Sequence, residues 1–121
     1  MAAKRVQDTK VYQLAFKLAM EVFEVSKKFP GEEKYSLTDQ IRRCTRSVCA
    51  NLSESYRKKQ YTAHFVSKVS DADMENAETQ TWLEFALACQ YMNKNAYQDL
   101  TEKSEEIGKL LNHMIHHPEK Y

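Results

Sequence analysis

The chain has 121 residues, a formal net charge of +1, and 42% hydrophobic against 29% charged residues. This balance is typical of a single globular domain, here residues 1–121, and excludes a disordered chain. Only two Gly and two Pro occur, which argues against strand-and-turn folds because these need both residues at their corners. The near-neutral charge excludes the global basic field that drives nonspecific nucleic-acid binding.

The first predicted helix runs from about Asp8 to Phe29 and ends before Pro30-Gly31. One apolar stripe at helical spacing consists of Val11, Leu14, Leu18, Val22, Val25 and Phe29. A second stripe beside it consists of Tyr12, Phe16, Ala19 and Phe23. Together they form an apolar face wider than one partner helix needs. Either the helix is deeply buried in its own domain, or it also packs against another subunit.

The second predicted helix runs from Ser36, its expected N-cap, to about Lys59, with Asp39 completing a capping-box-like start. Its predicted core stripe is Leu37, Ile41, Cys44, Val48, Leu52 and Ser55. The third helix is expected from about Thr62 to Asn93. Its seven-residue repeat, with two polar members, is Phe65, Val69, Ala72, Asn76, Thr79, Leu83 and Ala86.

The fourth predicted helix runs from about Tyr97 to His116 and ends before Pro118. It is expected to bury Leu100, Ile107, Leu111 and Met114. Four helices joined by three short connections pack most simply as an all-α, antiparallel, up-down-up-down four-helix bundle.

A polar stripe flanks the apolar one on the second helix. At about 100° per residue its members fall within an arc of roughly 80°; they are Gln40, Arg43, Ser47, Asn51 and Glu54. The stripe is either a solvated boundary of the core or a hydrogen-bonded network between helices or subunits. In the network interpretation, Glu75 and Glu78 of the third helix are the expected partners of Arg43, and Asn51 bridges across the seam. The remaining face, expected to face solvent, carries Arg42, Arg46, Ser53 and Arg57.

Charge is distributed unevenly between the second and third helices. Residues 36–59 carry six basic and two acidic residues, a net of +4, whereas residues 69–93 carry five acidic residues and no Lys or Arg. Opposite charge on consecutive elements indicates helices that face each other, within one chain or between copies.

Basic and aromatic residues are interleaved along the second helix. Phosphate contacts combined with aromatic stacking are typical of RNA sites. The residues expected to contact phosphates are Arg42, Arg46, Arg57, Lys58 and Lys59, and the neighbouring aromatic residues are Tyr56 and Tyr61. The same pattern is also typical of an ordinary solvated helix face.

No arrangement of residues indicates catalysis. Glu75 and Glu78 lack the Glu-x-x-His spacing of di-iron bundles, and two glycines leave no phosphate-cradling loop. His113 and His117 share a face and could chelate an ion, but cationic side chains also suit a helix C-terminus. We therefore expect no enzyme, no cofactor and no metal site.

The cysteines are Cys44, Cys49 and Cys89, an odd number without a CxxC motif. A secreted domain more often pairs its cysteines, and the sequence contains no signal peptide or apolar run of membrane length. We expect reduced thiols, a cytoplasmic protein and no membrane partner.

Residues 40–54 resemble the signature of the bacterial four-helix-bundle proteins encoded by 23S rRNA intervening sequences. In that family the sequence is typically Gln-Ile-Arg-Arg, followed by Ser, then by Ile or Val, then by any two residues, and then by Asn-Ile-Ala-Glu-Gly. The chain has Gln40-Ile41-Arg42-Arg43, Ser47-Val48 and Asn51-Leu52-Ser53-Glu54, with Ser55 in place of the final Gly. The resemblance extends to residues 72–83 and 106–111.

The resemblance implies an antiparallel four-helix bundle and, from related proteins, a ring-like homopentamer. A relative, the accessory protein of diversity-generating retroelements, binds a reverse transcriptase and nucleic acid through a basic surface. We therefore expect a non-catalytic, homo-oligomeric binding or scaffold protein, with five subunits as the expected number. It would bind structured RNA or DNA, or a nucleic-acid-processing protein. The alternative is a protein–protein adaptor without nucleic-acid binding.

Overall fold

The computed structural model describes residues 5–121, and residues 1–4 of the predicted domain lie outside the described part. Within residues 5–121 four α-helices form, joined and flanked by short 3-10 turns at Val6–Asp8, Gly31–Glu33 and Pro118–Lys120. The helices are α1 (Lys10–Ser26), α2 (Leu37–Arg57), α3 (Thr62–Ala88) and α4 (Lys94–His116). The predicted all-α class with four helices is confirmed.

Side chains just outside α1 and α4 determine where these helices begin. The Thr9 hydroxyl accepts a hydrogen bond from the Tyr12 amide at 3.2 Å, so α1 begins at Lys10. The Asn93 side chain accepts a bond from the Ala96 amide at 2.7 Å, so α4 begins three residues before the predicted Tyr97. A side-chain oxygen at the N-cap satisfies an amide that the helix itself leaves without a partner.

Three predicted features of the helix ends are wrong. The first helix ends at Ser26 rather than at Phe29. Ser36 does not cap α2, because its hydroxyl donates to the Glu33 carboxylate, and that carboxylate accepts from the Leu37 amide at 3.3 Å. The third helix ends at Ala88 rather than Asn93, because Gln90 has a positive φ of 65°. A left-handed residue interrupts the helical hydrogen-bond pattern.

The helices pack as a ring of neighbours: α1 against α2, α2 against α3, α3 against α4, and α4 against α1. The predicted core stripes of α2, α3 and α4 are confirmed, since every residue in them is buried. The first α1 stripe is buried at Val11, Leu18, Val22 and Phe29 and half-buried at Leu14 and Val25. In the second α1 stripe only Ala19 is buried, and Phe16 is 52% exposed.

A polar cluster lies inside the core between α3 and α4. The Asn76 amide donates to the Ser104 carbonyl at 2.8 Å, and the Ser104 hydroxyl lies 2.9 Å from the Asn76 amide oxygen. Gln80 donates to the same hydroxyl at 3.0 Å. A Cβ at Gly108 would lie 3.3 Å from the Asn76 amide nitrogen, so glycine gives Asn76 room. We call Asn76, Gln80 and Ser104 the buried polar cluster; its hydrogen bonds offset the cost of burial.

Candidate groove and basic surface on helix α2

A groove of about 520 Å³ lies along the seam between α2 and α3. It is lined by Gln40, Arg43, Cys44, Arg46, Ser47, Ala50, Glu75 and Glu78. The structure therefore brings together the first three members of the predicted polar stripe and both predicted acidic partners. We call this the polar groove.

The charged groups of the polar groove do not pair within one chain. Arg43 is exposed, and across residues 5–121 it forms no ion pair with Glu75, Glu78 or another carboxylate. Glu78 accepts a hydrogen bond from the Trp82 indole at 3.2 Å. Burial, with smaller contributions from the charges of Glu78 and Asp71, raises the pKa of Glu75 above its ordinary value. The groove thus holds a half-buried carboxylate and a nearby guanidinium, neither of them neutralised.

The other two members of the predicted stripe make separate contacts. Asn51 donates to the Ser47 carbonyl at 3.0 Å and to the Ser47 hydroxyl at 3.1 Å. Both hydrogen bonds lie within α2, and neither crosses the seam to α3 as the network interpretation predicts. Glu54 forms an ion pair with Lys68 of α3 at 3.0 Å. Both side chains of that pair are substantially exposed, and such pairs stabilise a fold only weakly.

Cys44 lies at the base of the polar groove without the properties of a nucleophile. Its sulfur is 3.2 Å from the Thr79 hydroxyl and 3.4 Å from the Ile41 carbonyl. Burial raises the pKa of the Cys44 thiol to about 11, and burial raises the pKa of the Cys49 thiol to about 11 as well. Both groups are therefore protonated near neutral pH, whereas the thiolate is the reactive form.

Arg42 is not on the solvent face as predicted but packs against α1. Its Nε donates to the Ser26 hydroxyl at 2.7 Å, and its guanidinium carbon lies 4.7 Å from the centre of the Phe23 ring. Arg46 and Lys27 approach the same ring, at 5.7 Å and 4.8 Å. We call Phe23, Lys27, Arg42 and Arg46 the Phe23 cluster. Arg42 and Arg46 form a positive surface where α1 meets α2, whereas Lys27 is paired with Glu24 at 3.2 Å.

The remaining predicted phosphate contacts lie at the other end of α2. Arg57 and Lys58 are exposed, whereas Lys59 is half-buried with its ammonium 4.4 Å from the centre of the Tyr56 ring. Tyr61, just beyond the helix, is 54% exposed. The predicted set is thus divided into two basic groups, Arg42 and Arg46 in the N-terminal half of α2 and Arg57, Lys58 and Lys59 at its C-terminal end.

The histidines near the C-terminal end of α4 contact one another and Tyr121. The rings of His113 and His117 are 4.6 Å apart, and the His113 Nδ1 lies 2.6 Å from the Tyr121 hydroxyl. In the described part of the chain, no three His, Cys, Asp or Glu side chains are grouped so as to hold a metal ion. Of the helices described, none combines the length and apolar character that a membrane span requires.

Comparison with known proteins gives one family. The profile of the 23S rRNA-intervening sequence proteins matches residues 7–113, which includes the polar groove and the Phe23 cluster. The chain belongs to this family. The resemblance seen in residues 40–54 is therefore confirmed. None of the curated proteins matches the chain in sequence.

A solved structure supports membership of the 23S rRNA-intervening sequence family. It is a Bacteroides thetaiotaomicron protein of the S23 ribosomal protein family, itself described as of unknown function. The identity is 30%, the TM-score 0.79, and the match covers 87% of this chain and 97% of that one. These matches establish the family and the fold, but they assign no activity to the chain.

Sequence reasoning missed two arrangements. One is the anchoring of Arg42 by Ser26 and Phe23, for which the sequence carries no signal, because the contact depends on how α1 is rotated against α2. The other is the buried polar cluster. Asn76 and Thr79 interrupt the apolar repeat of α3, and Gly108 lies in the middle of α4. Polar residues in a helical seam opposite a small residue are a signal that could have predicted it.

Proposed function

We propose that this chain is a non-catalytic, homo-oligomeric binding or scaffold protein of the cytoplasm that binds structured RNA or a nucleic-acid-processing partner. The observation that carries the proposal is the unneutralised row of arginines on α2. Within residues 5–121 no carboxylate pairs with Arg42, Arg46 or Arg57. Positive groups that the protein itself leaves unpaired are available to phosphates.

The positive charge is concentrated in one segment of the chain, which is consistent with a specific binding site for a polyanion. Residues 36–59 carry a net charge of +4 in a chain whose total is +1. A near-neutral protein with one basic helix concentrates its attraction for polyanions on that helix.

An adaptor function is the second candidate, and the surface of α3 favours it. Met74 is 68% exposed and Phe85 is 53% exposed, on a helix whose residues 69–88 include five acidic residues and no basic ones. Apolar side chains among carboxylates suit a basic, apolar protein partner. In that case the arginines of α2 would have no role in binding.

We further propose that copies of the chain assemble, with five subunits as the number that the resemblance implies. The polar groove supports assembly because Arg43, Glu75 and Glu78 remain unpaired within one chain, and a second copy can supply the missing charges. The Phe16 ring and the Met20 thioether on α1 are also exposed and offer apolar area to a neighbouring copy. Arg43 would then bind a carboxylate of the neighbouring copy.

The proposed domain is an antiparallel up-down-up-down bundle. Two contacts between α2 and α3 favour opposite directions: Cys44 meets Thr79, and ten residues further along α2, Glu54 meets Lys68. Short connections between neighbours in the ring favour the same order. Three free cysteines are consistent with a reducing compartment.

Salt-dependent retention on immobilised RNA separates the two candidate functions. Binding through phosphates must weaken steeply as salt rises, because counterions compete for the nucleic acid. Capture of partners from cells with and without nuclease provides the second arm: partners lost on nuclease treatment support the RNA function. Failure to bind RNA at low salt, together with nuclease-resistant partners, would favour the adaptor.

A further inference from the structure

Three arginines form a straight row on one face of α2. At 100° per residue Arg42, Arg46 and Arg57 fall within an arc of roughly 60°, and the 15 residues from first to last span about 22 Å. Because an α-helix is rigid over this length, the spacing of the three Cα atoms from which the guanidinium groups extend is fixed. We call these residues the arginine row.

We infer that the arginine row binds the backbone of a double-stranded nucleic acid. This inference rests on the proposed nucleic-acid function and specifies the class of ligand. A row of about 22 Å laid along a duplex covers roughly six base pairs, at 3.4 Å per step. Each strand winds away from a straight line within a few steps, so the two ends of the row meet phosphates on opposite strands. A duplex fixes the distance between these phosphates, whereas a flexible single strand does not.

Two residues of α1 hold one end of the row in place. The Ser26 hydroxyl accepts the Arg42 Nε at 2.7 Å and itself donates to the Phe23 carbonyl at 3.0 Å. The Phe23 ring lies beneath the Arg42 and Arg46 guanidinium groups. The bond to Ser26 involves Nε, so the Nη groups of Arg42 remain for a phosphate. Ser26 and Phe23 are thus positioning residues, which reduce the entropy lost when the arginines bind.

The aromatic rings beside the row are poorly placed to stack with bases. Single-strand sites need exposed aromatic faces on which successive bases stack. The Phe23 ring already carries cations, and the half-buried Tyr56 ring carries Lys59 at 4.4 Å. Tyr61 remains exposed, but it lies beyond the end of α2. The row therefore offers phosphate contacts without a stacking platform.

Lys27 adds less to the row than its position suggests. Its ammonium lies 3.2 Å from the Glu24 carboxylate, and both side chains are exposed. This pair leaves little net charge at that point, so the row is counted as three phosphate contacts.

The test is fluorescence anisotropy with a 20-bp RNA duplex, a DNA duplex of the same sequence, and the separate strands. With three phosphate contacts, log K should fall with log salt at a slope of about −2.7, a loss of about 40-fold between 50 and 200 mM. The Arg46→Glu/Arg57→Glu variant should bind more weakly, with a slope near −0.9 for the single remaining contact. Because Arg46 also lines the polar groove, the mass of this variant by light scattering should equal that of the wild type, so that lost assembly is excluded as the cause. Lys94→Glu/Lys109→Glu is the matched control: it makes the same change in charge at exposed positions on α4, and its slope should equal that of the wild type.

The positioning residues are tested without changing charge. Ser26→Ala should lower duplex affinity about fivefold, as loss of one hydrogen bond implies, while the salt slope remains that of the wild type. Ser26→Thr keeps the hydroxyl and should restore affinity. If Ser26 has only a structural role, Ser26→Ala should lower the thermal midpoint, and duplex affinity should not fall with Ser26→Ala and recover with Ser26→Thr.

The possible failures are distinguishable. If duplex and single strands bind equally, the duplex assignment is wrong. If nucleic acid binds but Arg46→Glu/Arg57→Glu behaves like the α4 control, the row is not the site, although the proposed function survives. If the wild type binds neither duplex and none of the separate strands at 50 mM salt, the proposed nucleic-acid function fails and the inference fails with it.

Discussion

The buried polar cluster and the polar groove both contain polar groups on α3, and they differ in how those groups are satisfied. Asn76, Gln80 and Ser104 bond to one another between α3 and α4 inside a single chain. In the groove, Arg43 and Glu75 share no ion pair in the described part of the chain. The first set is complete in the monomer, whereas the second set is not.

This difference separates residues that build the fold from residues available to a partner. A buried polar group whose hydrogen bonds are all internal contributes to a unique packing of its helices. An unpaired charge at the surface costs little while it is solvated, and it can pair when another molecule covers it. Substitutions in the two regions should therefore change different measurements.

The largest effect is expected for Asn76→Ala. The substitution removes the donor to the Ser104 carbonyl and the acceptor of the Ser104 hydroxyl, leaving buried groups short of partners. The free energy of unfolding should fall by about 2 kcal/mol, measured by urea denaturation. Thr81→Ala, at an exposed position on the same helix, is the control and should change it little. Equal midpoints for the two variants would show that the cluster does not stabilise the fold.

A smaller effect is expected for Arg42→Ala. Loss of the Ser26 hydrogen bond and of the contact with Phe23 should lower the free energy of unfolding by about 1 kcal/mol, whereas Arg43→Ala should leave the unfolding of the monomer unchanged. The sequence alone predicts the opposite order for the two neighbours. Thermal melts at a concentration where the chain is monomeric decide between them, and a lower midpoint for Arg43→Ala alone would contradict the contacts described.

Gly108→Ala tests how tightly Asn76 is held. Alanine in a helix interior is favoured over glycine by about 1 kcal/mol, but the new Cβ would lie 3.3 Å from the Asn76 amide nitrogen. We expect the two effects to cancel in the wild type, so that the urea midpoint hardly moves. In an Asn76→Ala background the substitution should stabilise by the full amount. A double-mutant cycle measures the coupling, and the same gain in both backgrounds would show that Asn76 can move aside.

The smallest effect concerns Glu75. Because burial raises the pKa of Glu75 from its ordinary 4.5, the folded chain binds this proton more tightly than the unfolded chain. The ionised group therefore destabilises the monomer at neutral pH, and this penalty disappears as pH falls through the raised pKa. Glu75→Gln should raise the urea midpoint slightly at pH 7 and leave it unchanged near pH 4. Glu84→Gln, at an exposed position, is the control; a pH-independent gain in both variants would exclude burial as the cause.

The sequence predicted the interior of this protein better than its surface. The core stripes of α2, α3 and α4 could be predicted from helical spacing alone. A residue on the side of a helix that faces the interior of the bundle is buried whatever the exact rotation of the neighbouring helices. Arg42 and Arg43 could not be distinguished in this way. They lie about 100° apart on α2, and which of them meets Ser26 depends on the rotation of α1. Phe16 was assigned to an apolar face for the same reason, although its exposure depends on what lies outside the bundle.

The central claim is that the unpaired charges of the polar groove are completed by a second copy of the chain. Light scattering of the wild type, Arg43→Glu and Glu78→Arg tests it most directly. The wild type should have a mass that is a multiple of 14.2 kDa, and each single variant should dissociate because its reversed charge repels the group that the neighbouring copy supplies. A wild-type mass near 14.2 kDa at micromolar concentration, or single variants that assemble like the wild type, would contradict the claim.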